Sequence, residues 1–133
     1  MPNVSDIIFC LRATNNNVEG ACATNILSVI SPEYIPGLFT FSVVVNLLDI
    51  DTSVEHKFSV DFNAPNEENT IHIEGPVPIF VDESNLPKEY KGVTIAMDWN
   101  NVNFKMSGLY TIKIYVDQEL IKTKSIYVKG KNE

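Results

Sequence analysis

Histidine and cysteine are scarce in this chain, two of each in 133 residues, and the scarcity narrows its chemistry. No C-x-x-C pair is present, and there is no third or fourth sulfur to complete a zinc site. His56 and His72 each fall on the polar phase of an alternating segment, which predicts solvent-facing rings. Neither is accompanied by G-x-S-x-G, H-E-x-x-H or a glycine-rich phosphate loop. A non-enzymatic protein without a cofactor is therefore expected. Long apolar runs are missing too: Val43-Val44-Val45 and Ile7–Leu11 fall far short of the ~20 residues needed to cross a bilayer. No membrane association is expected. Met1–Asp6 lacks the basic start and long apolar stretch of a secretory signal, so cytoplasmic residence is the expectation. No window of about 11 residues carries an apolar stripe at helical spacing. Only Glu83–Tyr90 could form a short helical turn, and Pro87 limits it. Positive charge is in deficit as well. The formal net charge is -7, which argues against nucleic acid, because phosphate binding depends on clustered lysine and arginine that release counterions.

What is present is alternation. The chain is long enough to bury roughly two-thirds of its unfolded surface without a metal or disulfide. Hydrophobic residues at 44% and charged residues at 20% place it with ordinary globular domains. Phe39, Phe41, Val43, Val45 and Leu47 alternate with Thr40, Ser42, Val44 and Asn46. Phe58, Val60 and Phe62 do the same, as do Ile71 and Ile73, and Val93, Ile95, Met97 and Trp99. Each reads as a strand with one face in a core. With Asp6–Ala13, Cys22–Ile30, Leu109–Val116 and Leu120–Val128 the count reaches about eight strands. Many short strands without intervening helices leave a sandwich or a small barrel. Gly108-Leu109-Tyr110 resembles the tyrosine corner of immunoglobulin-like sandwiches, which favours the sandwich. The Cys…Trp…Cys pattern of antibody domains is absent, since both cysteines precede Trp99. The expected fold is all-β: one domain over residues 1–133, an antiparallel sandwich, immunoglobulin-like or C2-like. Asp117-Gln118 marks a two-residue hairpin turn or, because glutamine resists positive φ, a longer loop through Glu119.

Charge is unevenly spread. Residues 1–100 hold four basic residues against 14 acidic ones, and residues 101–133 hold six against three. Lys113, Lys122, Lys124 and Lys129 suit an exposed edge strand, where charge discourages pairing with another chain. The alternative reading makes them a ridge for an anionic ligand, or a docking face for the acidic remainder of another copy. Cys10 and Cys22 would lie opposite one another in a hairpin turning at Asn16, which permits either a bridge or simple contact. Without a signal peptide, two small apolar thiols are expected. Asp49-Ile50-Asp51 with Glu55, Glu67-Glu68 and Asp82-Glu83 lie in three connections; loops at one end of a sandwich can converge on Ca²⁺, which makes Asp49 and Asp51 the candidate ligands. Trp99 keeps phase with the core, while Tyr34, Phe80, Tyr90 and Tyr115 are the aromatics available for stacking on a sugar. Glu74–Val81, apolar and rich in proline, reads as a loop between sheets and, if exposed, as the best partner-binding patch.

The order of elements also carries a resemblance. Ile7–Ala13 at the start, Pro32–Val43 in the first third and Gly108–Ile112 through Val128 at the end are similar to a family of small bacterial all-β proteins of unknown function. The resemblance implies a bacterial or mobile-element origin and an all-β fold, and it carries no activity, cofactor or catalytic residue to any position. The function expected is protein binding or assembly, with a protein partner or a second copy held through an edge strand. The alternative is a calcium-dependent or carbohydrate-binding sandwich.

Overall fold

Alternation becomes two faces in the computed structural model, which describes residues 2–16, 20–77, 79, 81, 83 and 85–132. Nine strands are described: β1 (Asn3–Asn16), β2 (Gly20–Ile26), β3 (Val29–Ile30), β4 (Gly37–Leu48), β5 (Lys57–Asn63), β6 (Asn69–Pro76), β7 (Gly92–Phe104), β8 (Gly108–Val116) and β9 (Glu119–Val128). One sheet has the order β2-β1-β4-β7 and the other β3-β9-β8-β5-β6. The two pack face to face as a β-sandwich, the expected fold class. The short turn anticipated within Glu83–Tyr90 is a 3-10 turn at Lys88–Tyr90; Ser84, in the same stretch, lies outside the described residues. Among the described residues no helix is long and apolar enough to cross a membrane.

The core-facing phases are those the sequence marks. Phe41, Val43, Val45 and Leu47 of β4 face Phe58, Val60 and Phe62 of β5 and Ile112 and Ile114 of β8, all buried in one cluster. Seven rings meet at its centre. Phe41 touches Trp99 edge-on at 5.3 Å, Phe62 lies 5.4 Å from Tyr110, and Phe104 meets Tyr110 edge-on at 5.3 Å. Such pairs add about 0.5–1.5 kcal/mol each beyond the area they bury. The tyrosine corner is present: Tyr110 is buried and its hydroxyl donates to the Met106 carbonyl at 2.8 Å.

One segment departs from the sequence reading. Cys22–Ile30, expected as one strand, divides between the sheets. β2 pairs with β1 and ends just past Asn25, whose φ of 57° turns the chain; the Leu27 N–H then donates to the Phe9 carbonyl at 2.7 Å as the chain crosses. β3 joins the second sheet by pairing with Tyr127 and Val128, the single parallel ladder described among otherwise antiparallel strands. The division is physical: asparagine tolerates the left-handed region, and a change of twist there lets Ile30 enter the core at full burial.

The β8–β9 connection takes the tighter of its two options. Val116 pairs with Glu119, leaving Asp117 and Gln118 as a two-residue turn with φ of 51° and 70°. Both residues must adopt positive φ in a turn of this kind. Asp117 is held there by its contacts. Its N–H donates to the Lys57 carbonyl at 2.8 Å, its Oδ1 accepts the Lys57 N–H at 2.9 Å, and its Oδ2 pairs with His56 Nδ1 at 2.6 Å.

Candidate functional site

Asp49 and Asp51 sit in the β4–β5 connection. Asp49 follows β4 directly with a φ of 56°, and its N–H donates to the Lys91 carbonyl at 2.9 Å. Asp51 Oδ1 accepts the Ser53 N–H at 3.0 Å and the Ser53 hydroxyl at 2.6 Å, and these bonds lower its pKa. The carboxylate thus organises its own turn. Asp51 shares a cleft of about 310 Å³ with Lys88 and Lys91, so charges of both signs line it. Glu67 and Glu68 close the tight turn after β5, at the other end of that strand from Asp51, whereas Val81 of the β6–β7 connection lines the Asp51 cleft. Asp82 lies outside the described residues. Among the described residues no group of three or more His, Cys, Asp or Glu is placed to share a metal ion.

Both histidines are tied to carboxylates. His72 is half-exposed on β6, its Nδ1 paired with Asp61 on the neighbouring β5 and its Nε2 with Glu74 at 3.1 Å. The Asp61 contact first, and Glu74 second, raise the His72 pKa. Lys57 reaches Glu74 at 3.1 Å and, with His72, lowers that carboxyl. His56 is more enclosed than the sequence implies, with 17% of its side chain exposed, because the Asp117 turn closes over it. The His56 bond is the larger cause, and the Lys57 N–H the smaller, of a lowered Asp117 pKa.

Cys10 and Cys22 are free thiols. Cys10 pairs with Ile26 and Cys22 with Thr14, so the two cysteines are not opposite one another but sit four residues apart along β1. At about 3.3 Å per residue that separation exceeds the reach of a disulfide. Cys10 is fully buried, and burial raises its pKa.

The lysine-bearing strands differ from a simple edge. Lys113 is on β8, an interior strand, opposite Asp61. β9 is the partial edge: β3 covers only Tyr127 and Val128, and Glu119–Ile126 has no strand on that side among the described residues. Lys122 and Lys124 lie opposite the core residues Ile114 and Ile112, on the inward phase. Lys124 Nζ donates to the Ile7 carbonyl of β1 and sits 5.9 Å from the Phe9 ring centre. Inward charge is a known device against edge pairing. Beside this edge, Val29, Tyr127 and Leu109 form one cross-strand row on the outer face, all exposed, beside a shallow apolar groove of about 460 Å³ ending at Lys129. The row was findable in the sequence, since Leu109 and Tyr127 stand out of phase with the buried residues of their strands.

The aromatic candidates do not share a face. Tyr34 and Tyr90 are exposed but belong to connections at opposite ends of β4, and Tyr115 is half-buried on β8. Phe80 lies outside the described residues, as does Pro78. Within Glu74–Val81, Val77 is buried while Ile79 and Val81 are exposed.

Comparison with known proteins adds the following. A family model described as a family of unknown function (DUF6941) matches residues 5–129. No curated protein is similar to the chain at a significant level. Among solved structures, an immunoglobulin-like protein from Pseudomonas aeruginosa matches with a TM-score of 0.45 and 11% identity, covering 96% of each chain. An alkylpurine DNA glycosylase from Pseudomonas fluorescens matches with a TM-score of 0.48 and 6% identity, over 96% of this chain and 30% of the glycosylase. A beta-glucosidase from Listeria innocua matches with a TM-score of 0.44 and 9% identity, over 92% of this chain and 16% of the glucosidase.

Proposed function

The chain belongs to the DUF6941 family of unknown function, and we propose that it is a non-enzymatic bacterial, cytoplasmic β-sandwich module that binds a protein partner through its terminal edge strand β9. Self-association is the first form of this reading. The observation that carries it is the edge of Glu119–Ile126, uncovered by any strand among the described residues, lying beside the exposed row Val29, Tyr127 and Leu109. Backbone donors and acceptors along that edge supply affinity for an extended segment whose acidic side chains meet the inward-phase Lys122 and Lys124, charges that turn away a segment lacking them. Neighbouring apolar side chains supply the buried area. The basic end of the chain, with Lys122 and Lys129 at this side, complements the acidic first hundred residues of a second copy.

Sedimentation velocity at micromolar concentration tests the first form. Wild type is expected to show a dimer, and Tyr127→Glu, which places a charge in the apolar row, is expected to sediment as a monomer. Wild type that stays monomeric removes self-association. Affinity capture from the native host with both proteins then tests a foreign partner: one retained by wild type and lost by Tyr127→Glu supports the reading, and identical captures from both end it.

A further inference from the structure

On the side of the sandwich away from β9, the edges of the two sheets, β6 and β7, come together and frame a polar trough. Two adjoining hollows of about 180 and 280 Å³ share Thr70 and Asn103. Carboxamides dominate the walls: Asn66 and Asn69 beside the first hollow, Asn100 and Asn101 beside the second. Glu68 and Lys105 contribute one charge of each sign, so neither an anion nor a cation gains a net advantage.

One buried polar atom in its wall marks the trough as more than surface relief. Trp99 forms part of its wall, is only 4% exposed, and its Nε1–H has no acceptor among the described residues. A buried polar atom left unpaired costs about 1–3 kcal/mol. An orphaned donor just beneath the wall is what a hydrogen-bonding ligand would satisfy after a small shift of that wall. The backbone is shaped here as well. A bulge breaks the β4–β7 register between Phe39 and Phe41, Asn101 has a φ of 53°, and its N–H donates to the Thr40 hydroxyl at 2.9 Å. Bulges of this sort re-aim side chains and end pairing.

We infer that the β6–β7 trough is a binding site for a neutral saccharide, whose hydroxyls are met by the Asn66, Asn69, Asn100, Asn101 and Asn103 carboxamides. A carboxamide offers donors and an acceptor side by side, and a hydroxyl both donates and accepts, so the two groups complement each other without charge. Ile71, half-buried in the wall, provides an apolar patch for the C–H face of a sugar ring. An extended peptide also offers donors and acceptors, but a strand added to β7 would have to cross the bulge at Asn100 and Asn101, where ladder spacing fails. The site uses none of the residues assigned to partner binding on β9 and stands or falls separately from it.

Trp99 is the chain's one tryptophan, so its indole N–H gives a single reporter resonance in a ¹H–¹⁵N spectrum. Titration at millimolar concentration uses glucose, galactose, mannose, N-acetylglucosamine, cellobiose and chitobiose in turn, with a capped triglycine peptide as the contrasting probe. At least one sugar is expected to shift the indole signal and asparagine side-chain amides saturably. Asn69→Ala and Asn103→Ala, both at exposed positions, are expected to weaken that binding on the order of tenfold with unchanged melting temperature. The inference is overturned if none of the six sugars gives a saturable shift, if both variants bind as wild type does, or if triglycine shifts the same signals equally.

Discussion

Tyr110 shows how much one hydroxyl contributes when it is buried. Its ring packs against Phe62 and Phe104, and its hydroxyl closes the Met106 turn. Tyr110→Phe keeps the ring and leaves the Met106 carbonyl short of a donor, so urea denaturation is expected to give an unfolding free energy lower by about 1–2 kcal/mol with an unchanged m-value. The exposed charges act differently, through pH. His72 has a folded pKa above its ordinary value of about 6.5. Its contribution to stability is therefore complete below about 6.5 and lost as pH rises through the raised folded value. Asp51, Glu74 and Asp117 are lowered, so their contributions are present above the ordinary carboxylate range and lost as pH falls through the depressed values. The melting temperature is expected to be highest between these two ranges and to decline on both sides. His72→Gln should remove the decline on the alkaline side and leave the acid limb; an alkaline limb unchanged in the variant would refute the assignment. Alternation in the sequence placed His72 on the surface correctly, but the carboxylates around it come from strand pairing, which period alone does not specify.

Turns and edges are decided at the scale of elements. Asp117 and Gln118 both occupy the left-handed region, yet substitution by glycine is expected to act in opposite directions at the two positions. Gln118→Gly relieves φ strain without removing any contact described for that residue, and should raise stability by about 0.5–1 kcal/mol. Asp117→Gly relieves the same strain but deletes the side-chain bonds to the Lys57 N–H and to His56, and should lower stability. Paired urea titrations check the contrast, and the same sign for both variants would refute it. The sequence left the turn open between two lengths because glutamine disfavours positive φ. What resolves it is the docking of Asp117 onto β5, about 60 residues earlier in the chain. The same kind of reason divides β2 from β3 and turns Lys124 inward: a short parallel ladder with β9 and a carbonyl on β1 are partners remote in sequence.

For the whole molecule, the two sheets share one aromatic centre, and its disruption should be felt everywhere. Phe62 is fully buried and touches five of the other rings. Phe62→Ala is expected to cost about 3–5 kcal/mol, a large share of the 5–15 kcal/mol typical of a domain's stability. Trp99 fluorescence and far-ultraviolet circular dichroism should lose signal together, at a urea midpoint well below that of wild type. Separate transitions would contradict a shared core. The all-β class, the buried phase of each long strand and the tyrosine corner were determined by the sequence itself, because a two-residue period and a Gly-x-Tyr turn are local signals that survive any arrangement of neighbours. The sheet to which each strand belongs, the half-open edge of β9 and the convergence of five asparagines on one seam were decided by the tertiary structure. Those features join residues distant in the chain, and hydrophobic burial, which is non-directional, brings such residues together without writing their partners into the local pattern.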